Sequence, residues 1–165
     1  MGGITMETME ETAGRLLMDS QQTIACAESC TGGLLTSRLT DVPGSSAYVM
    51  GSVVSYTNPI KERLVGVNPA TIAAYTEVSA ETAGEMAEGI RRVIGTDLGV
   101  GITGIAGPGG GTSERPVGLV YIAVAGSRGT RVCENHFHGE RKEIKQQSAE
   151  KALQMIVTYL SGGFF

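Results

Sequence analysis

The sequence predicts an α/β fold: one layered domain spanning 1–165, with a mixed β-sheet flanked by helices, a C-terminal β-hairpin and a long final helix. Three observations predict it. Segments of strand character alternate with segments of helical period, the pattern of layered α/β domains. Two apolar, β-rich runs meet at Gly126-Ser127-Arg128-Gly129, which reads as a hairpin and brings antiparallel strands into the sheet. Hydrophobic residues make up 41% of the 165 and charged residues 18%, enough for one substantial core.

The elements follow in order. Met9, Ala13, Leu16 and Leu17 fall on one stripe and predict an amphipathic helix over 6–20. Small and β-branched residues predict a short buried strand over 23–27, with a helix over 31–39 starting immediately after it. Pro43-Gly44-Ser45-Ser46 is a turn. The apolar run 47–56 is predicted as strand. Asn58-Pro59 opens a short helix through 64, because proline suits a first helical turn, and Asn68-Pro69 opens another to 74. Ser79 is an N-cap candidate for a helix over 79–94, with Ala83, Met86, Ile90 and Ile94 at core spacing. A buried strand is predicted over 98–102, and hairpin strands over 117–125 and 130–138. The final helix covers 141–160, with Ile144, Ala149, Leu153, Ile156 and Val157 toward the core.

Charge narrows the partners. The net charge is -4, with 13 Lys+Arg against 17 Asp+Glu. No basic excess is available for broad phosphate neutralisation, so neither nucleic acid nor an anionic membrane is expected as the main partner. A local cationic pocket for one small anion stays open. Three cysteines, Cys26, Cys30 and Cys133, form neither a disulfide framework nor a paired zinc motif, and thiols of this kind point to the cytoplasm. No signal-peptide pattern or membrane-length apolar run is present. Met1-Gly2-Gly3 resembles a myristoylation start, but Met6 stands where Ser or Thr is required. His136 and His138 alternate on a predicted strand and would share one face. No acidic or cysteine cluster with ligand spacing accompanies them, so no metal and no organic cofactor is expected. A homo-oligomer, dimer or higher, is the default expectation for such a chain.

Chemistry concentrates in four segments. In Ala27-Glu28-Ser29-Cys30-Thr31-Gly32-Gly33 a strand ends, a serine follows and a helix begins. Open α/β sheets bind ligands beyond the carboxyl ends of their strands, and free N–H groups at a helix start can hold an oxyanion or phosphate. Thr31, Gly32 and Gly33 would let a ligand approach the backbone; equally, Ser29 or Thr31 could simply cap the helix. Tyr56-Thr57-Asn58-Pro59-Ile60-Lys61 also follows a strand. Lys61, if neutral, could act as the base that a serine nucleophile needs, with Tyr56 orienting it, or both could be ordinary surface residues. The glycine-rich 99–111 satisfies GxGxxG, yet a Pro/Gly loop follows where a dinucleotide fingerprint needs a helix. There Thr103, Gly104 and Gly107 are candidates to contact a phosphate or carbonyl, against the alternative of a tight packing turn. Arg141, at the start of the last helix, could bind a phosphate or lie in solvent.

Taken together, these motifs resemble the CinA C-terminal domain family, whose stand-alone members are nicotinamide-nucleotide amidases. The resemblance covers nearly the whole chain and rests on the segment around Ser29, Pro43-Gly44-Ser45-Ser46, the segment from Tyr56 to Lys61, and Gly101-Ile102-Thr103-Gly104-Ile105-Ala106-Gly107-Pro108. It implies a Ser/Lys hydrolase that converts the carboxamide of nicotinamide mononucleotide to the acid in pyridine nucleotide salvage. On that resemblance Ser29 matches the nucleophile, Lys61 the base and Tyr56 an assisting residue. Thr103 and the following glycines match substrate-binding positions, and Arg141 a basic position near the substrate phosphate. Where the family often has Asp before that arginine, this chain has Glu140. No counterpart of the amino-terminal domain of two-domain members is present, so its functions are not carried over. Two other readings stay open: a non-enzymatic nucleotide-binding regulatory module, and a cysteine hydrolase built on Cys30.

Overall fold

The computed structural model describes residues 6–163. A five-stranded sheet runs in the order β2-β1-β3-β4-β5. The strands are β1 (Ile24–Glu28), β2 (Val49–Val54), β3 (Leu98–Gly104), β4 (Leu119–Gly126) and β5 (Gly129–His136). β2, β1 and β3 are parallel, and β4 and β5 add on antiparallel. The sheet is therefore mixed, as the hairpin signal implied. β4 and β5 close through Ser127-Arg128, with Gly126 opposite Gly129, a two-residue connection that fixes their register.

Helices cover both faces. α1 (Met9–Ser20), α2 (Leu34–Thr40) and α6 (Arg141–Leu160) pack on one side, where Leu17, Leu35, Leu39, Ile144, Leu153 and Ile156 meet Val100, Ile122 and Val124 of the sheet. α5 (Ala80–Ile94) lies on the other, with Met86 and Ile90 against Ala25 and Ala27. The close packing of α5 explains two glycines of the GxGxxG run. A Cβ on Gly101 would stand 2.4 Å from the Ala83 carbonyl oxygen, and one on Gly99 2.1 Å from that of Ala87. These glycines let a helix touch a strand rather than let a ligand approach.

Several boundaries differ from the sequence expectations, each for a local reason. α1 starts at Met9 because Thr8 caps it, with Glu11 completing a capping box. α2 starts at Leu34 rather than 31: Gly32 and Gly33 take φ of 61° and 103°, outside the right-handed helical region. β2 is shorter than 47–56, since Ser45–Ala47 forms a 3-10 turn before it. β5 ends at His136, so His138 lies beyond the strand and the two histidines do not share a strand face. The short helix α3 (Asn58–Ile60) passes into one π-helical turn, Lys61–Val65, and α4 (Pro69–Tyr75) follows. The bounds of α6 match 141–160. The Met1-Gly2-Gly3 start lies outside the described residues. No helix of the described residues is long and apolar enough to cross a membrane.

Candidate active site

The parallel strands deliver three segments to one edge of the sheet. Ser29 follows β1, Ser55 and Tyr56 follow β2, and Thr103-Gly104 end β3. The sheet hydrogen bonding continues one residue past β1: the Ser29 N–H donates to the Ile102 carbonyl at 3.0 Å, and the Ser55 N–H to the Glu28 carbonyl at 2.8 Å. Ser29 is thus held by both neighbouring strands rather than by a loose loop. A cavity of about 450 Å³ opens at this edge, lined by Ser29, Lys61, Tyr56, Glu77, Thr103 and Arg141 among others. That volume lies within the range of small-molecule sites.

Lys61 reaches the serine from the opposite wall. Its side chain is buried, 1% exposed. Its Nζ stands 3.0 Å from Ser29 Oγ and 2.8 Å from the Ser55 carbonyl oxygen, to which it donates. The π-helical turn that begins at Lys61 is the kind of helical irregularity that clusters at functional sites. Burial pulls the lysine pKa below its ordinary value, and the negative charge of Glu77 and the Cys30 thiol oppose that fall. No carboxylate of the described residues forms an ion pair with the amine. A neutral amine has two N–H donors and one lone pair. In the neutral form one donor would stay on the Ser55 carbonyl, and the lone pair would be available to the Ser29 hydroxyl 3.0 Å away.

The expectation that α2 presents free N–H groups to a ligand is corrected by Glu28. This residue is fully buried. Its Oε1 accepts from the Leu35 N–H at 2.9 Å and the Thr31 hydroxyl at 2.7 Å. Its Oε2 accepts from the Thr36 N–H at 2.9 Å and the Thr36 hydroxyl at 2.6 Å. The helix start is already occupied by an anion of the protein's own. In the turn before α2 the Cys30 N–H faces its own thiol, and the Thr31 N–H has no acceptor among the described residues.

The remaining candidates divide. Arg141 spans the cavity, donating to the Gly107 carbonyl at 2.7 Å and to the Tyr56 hydroxyl at 2.8 Å. Tyr56 lines the cavity but is 56% exposed, and its hydroxyl engages Arg141, not Lys61. Gly104 and Gly107 line the cavity. Thr103 lines it too, with its hydroxyl donating to the Glu77 carbonyl at 2.6 Å. Thr31, Gly32 and Gly33 are not brought to the cavity: the Thr31 hydroxyl is taken by Glu28, and the glycines form the turn that leads into α2. The Cys30 thiol touches the site, but burial pushes its pKa up to about 12, which disfavours the thiolate a cysteine hydrolase needs. Among the described residues no group of three or more His, Cys, Asp or Glu could hold a metal.

Sequence reasoning missed three contributors: Glu28, Ser55 and Glu77. Glu28 stood inside the motif already singled out, directly before the serine, and a buried acid before a glycine turn was the available signal. A larger groove of about 640 Å³ lies between α2 and α6, lined by residues such as Leu34, Arg38 and Glu150. It contains no nucleophile with a base beside it, so the chemistry is assigned to the smaller cavity.

Comparison with known proteins places the chain and its fold. Residues 6–160 match the CinA C-terminal domain. A CinA-like protein from Koribacter versatilis is 49% identical over 150 residues, 91% of this chain and 36% of that protein. The chain spans little more than a third of the length of the curated relatives it matches, 37% for the first two. The crystal structure of the competence/damage inducible protein CihA from Agrobacterium tumefaciens superposes with a TM-score of 0.87 at 37% identity, covering 98% of this chain and 99% of that one. A CinA superfamily protein from Klebsiella pneumoniae gives a TM-score of 0.90 at 27% identity, covering 93% and 96%. By its matched residues, its relatives and its fold, the chain belongs to the CinA C-terminal domain family.

Proposed function

We propose that the protein hydrolyses the carboxamide of nicotinamide mononucleotide to nicotinic acid mononucleotide and ammonia, by a Ser29/Lys61 mechanism. The single observation that carries this reading is the buried amine of Lys61, 3.0 Å from Ser29 Oγ, with its pKa lowered by burial. A module that only bound a nucleotide would have no use for a desolvated base against a hydroxyl. The substrate class rests on the resemblance of the site motifs to stand-alone nicotinamide-nucleotide amidases and on a cavity of about 450 Å³, room for one nucleotide. Its location in pyridine nucleotide salvage in the cytoplasm, and its assembly as a homo-oligomer, belong to the same proposal.

The steps follow from the geometry. Neutral Lys61 takes the Ser29 proton as Oγ attacks the carboxamide carbon. Backbone N–H groups beside the nucleophile or in the glycine loop that lines the cavity stabilise the oxyanion that forms. Lys61 then gives its proton to the departing nitrogen, the carbon–nitrogen bond breaks, and ammonia leaves. Water, deprotonated by the same amine, attacks the ester on Ser29 and releases the carboxylate, returning the proton to Oγ. The cationic pyridinium ring withdraws electrons from the carbonyl and favours both attacks. Thr103, Gly104, Gly107, Tyr56 and Arg141 position the nucleotide, with Arg141 facing its phosphate.

Incubation of the purified protein with nicotinamide mononucleotide tests the proposal. Ammonia and nicotinic acid mononucleotide should appear in equal amounts. Binding of the nucleotide without release of either product would reject the enzyme reading in favour of a binding module.

A further inference from the structure

We propose that Glu77 is the counter-charge for the cationic ring and makes the cavity select positively charged carboxamides over neutral ones of the same shape. The inference rests on the amidase reading and adds to it a residue that binds one part of the substrate.

Glu77 sits in the turn between α4 and α5, and side chains from β3 and the segment after it tie that turn down. The Thr103 hydroxyl donates to the Glu77 carbonyl at 2.6 Å. Arg115 donates to the Val78 carbonyl at 3.3 Å and the Tyr75 carbonyl at 3.2 Å. The backbone carrying the carboxylate is therefore fixed to the end of β3. The carboxylate itself forms no hydrogen bond or ion pair with another described residue. Arg115, which shares a second, outer pocket with Glu77, donates its Nε and one Nη to backbone carbonyls.

Among the described residues lining the cavity, Glu77 is the only acid. Its charge reaches Lys61 strongly enough to oppose the fall of the lysine pKa, yet the two make no ion pair. A gap separates the acid from the base. The other charged group on the wall is Arg141, brought in by α6 and bonded to Gly107 and Tyr56; Cys30 faces in as a neutral thiol. With Lys61 neutral for catalysis, the cavity carries one negative and one positive group on different elements. That arrangement complements a ligand with both a cationic ring and an anionic tail.

The contribution falls on binding rather than on the chemical step. The ring is cationic before attack and gains electron density as the carbonyl reacts, so the carboxylate has no stronger partner in the transition state. Replacing Glu77 should raise KM with kcat little changed.

The test uses two probes: nicotinamide mononucleotide, and benzamide riboside 5′-phosphate, which has the same shape with a neutral ring. Binding is measured by calorimetry in Ser29→Ala protein, where turnover does not intervene. The parent should prefer the cation, and Glu77→Gln should cut that preference by about fivefold, the scale of a partly screened charge contact. Glu77→Asp should restore it. In the catalytically intact Glu77→Gln protein, the acid limb of kcat/KM should move to lower pH, because an opposing charge on Lys61 is gone. A preference for the cation that is unchanged in Glu77→Gln, with both probes still binding, overturns this proposal alone. Failure of nicotinamide mononucleotide to bind the parent overturns the mononucleotide reading together with it.

Discussion

The Ser29 hydroxyl and the Lys61 amine lie 32 positions apart in the chain and 3.0 Å apart in space. Neighbouring strands bring them together: β1 ends one residue before the serine, β2 leads through α3 to the π-helical turn that starts at the lysine, and the Ser55 carbonyl between them holds the amine in place at 2.8 Å. What lowers the pKa of the base is burial rather than a neighbouring cation. Each expectation below isolates one part of that construction.

Glu28 holds the serine turn through α2. Its four accepted hydrogen bonds tie Thr31, Leu35 and Thr36 to the last residue of β1. Glu28→Ala leaves these buried donors unpaired and should destabilise the fold by about 2–4 kcal/mol. Urea denaturation reads the loss. Glu28→Gln, which keeps one acceptor oxygen, should lose less.

Lys61 carries a pH signature in stability. Its folded-state pKa is depressed below the ordinary 10.5 of the unfolded chain. Between those two values the unfolded state binds a proton that the folded state lacks, so stability rises with pH. Below the depressed value the folded protein bears the full cost of a buried charge. Lys61→Met removes this dependence. Thermal melts should therefore show the wild type gaining on Lys61→Met as pH climbs toward 10.5. Parallel melting curves across that window would show that the amine is not desolvated. The same ionisation sets activity: kcat/KM should rise with pH through the depressed value, as the neutral base is formed.

Arg141 joins the Gly107 carbonyl to the Tyr56 hydroxyl at the cavity wall. If it also faces the substrate phosphate, Arg141→Ala should raise KM about tenfold or more, the scale of a charge-assisted contact. An unchanged KM in steady-state assays would remove Arg141 from substrate binding. Tyr56→Phe, which deletes only the hydroxyl that accepts from Arg141, should have the smaller effect.

Tyr48 offers a control far from the chemistry. Its hydroxyl is buried with no hydrogen-bond partner and presses against Gly14, where a Cβ would lie 2.4 Å away. Tyr48→Phe should be at least as stable as the wild type, by up to about 1 kcal/mol. The melting temperature checks it, and ammonia release should not change.

Much of this was legible in the sequence, and the reasons are local. The hairpin announced itself through Gly126 and Gly129, and the last helix through the spacing of Ile144, Ala149, Leu153 and Ile156. The serine turn and the lysine segment each followed an apolar run, which predicts the same sheet edge. What stayed hidden depended on contacts between distant segments. Glu28 occupies the start of α2 only because Gly32 and Gly33 delay the helix to Leu34. The packing role of Gly99 and Gly101 could not be read from their own segment, because the approach of α5 leaves no trace there. Glu77 reaches the cavity through a turn that the Thr103 hydroxyl fixes from another strand. Tyr56 was paired with Lys61 by proximity in sequence, whereas its hydroxyl bonds to Arg141 from the far end of the chain.

Ammonia release from nicotinamide mononucleotide, measured side by side for wild type, Ser29→Ala, Lys61→Ala and Cys30→Ala, tests the central claim most directly. The serine and lysine variants should lose at least about a thousandfold in kcat while keeping their fold by circular dichroism, and Cys30→Ala should remain active. Wild-type turnover by Ser29→Ala, or loss of activity in Cys30→Ala alone, would contradict the account.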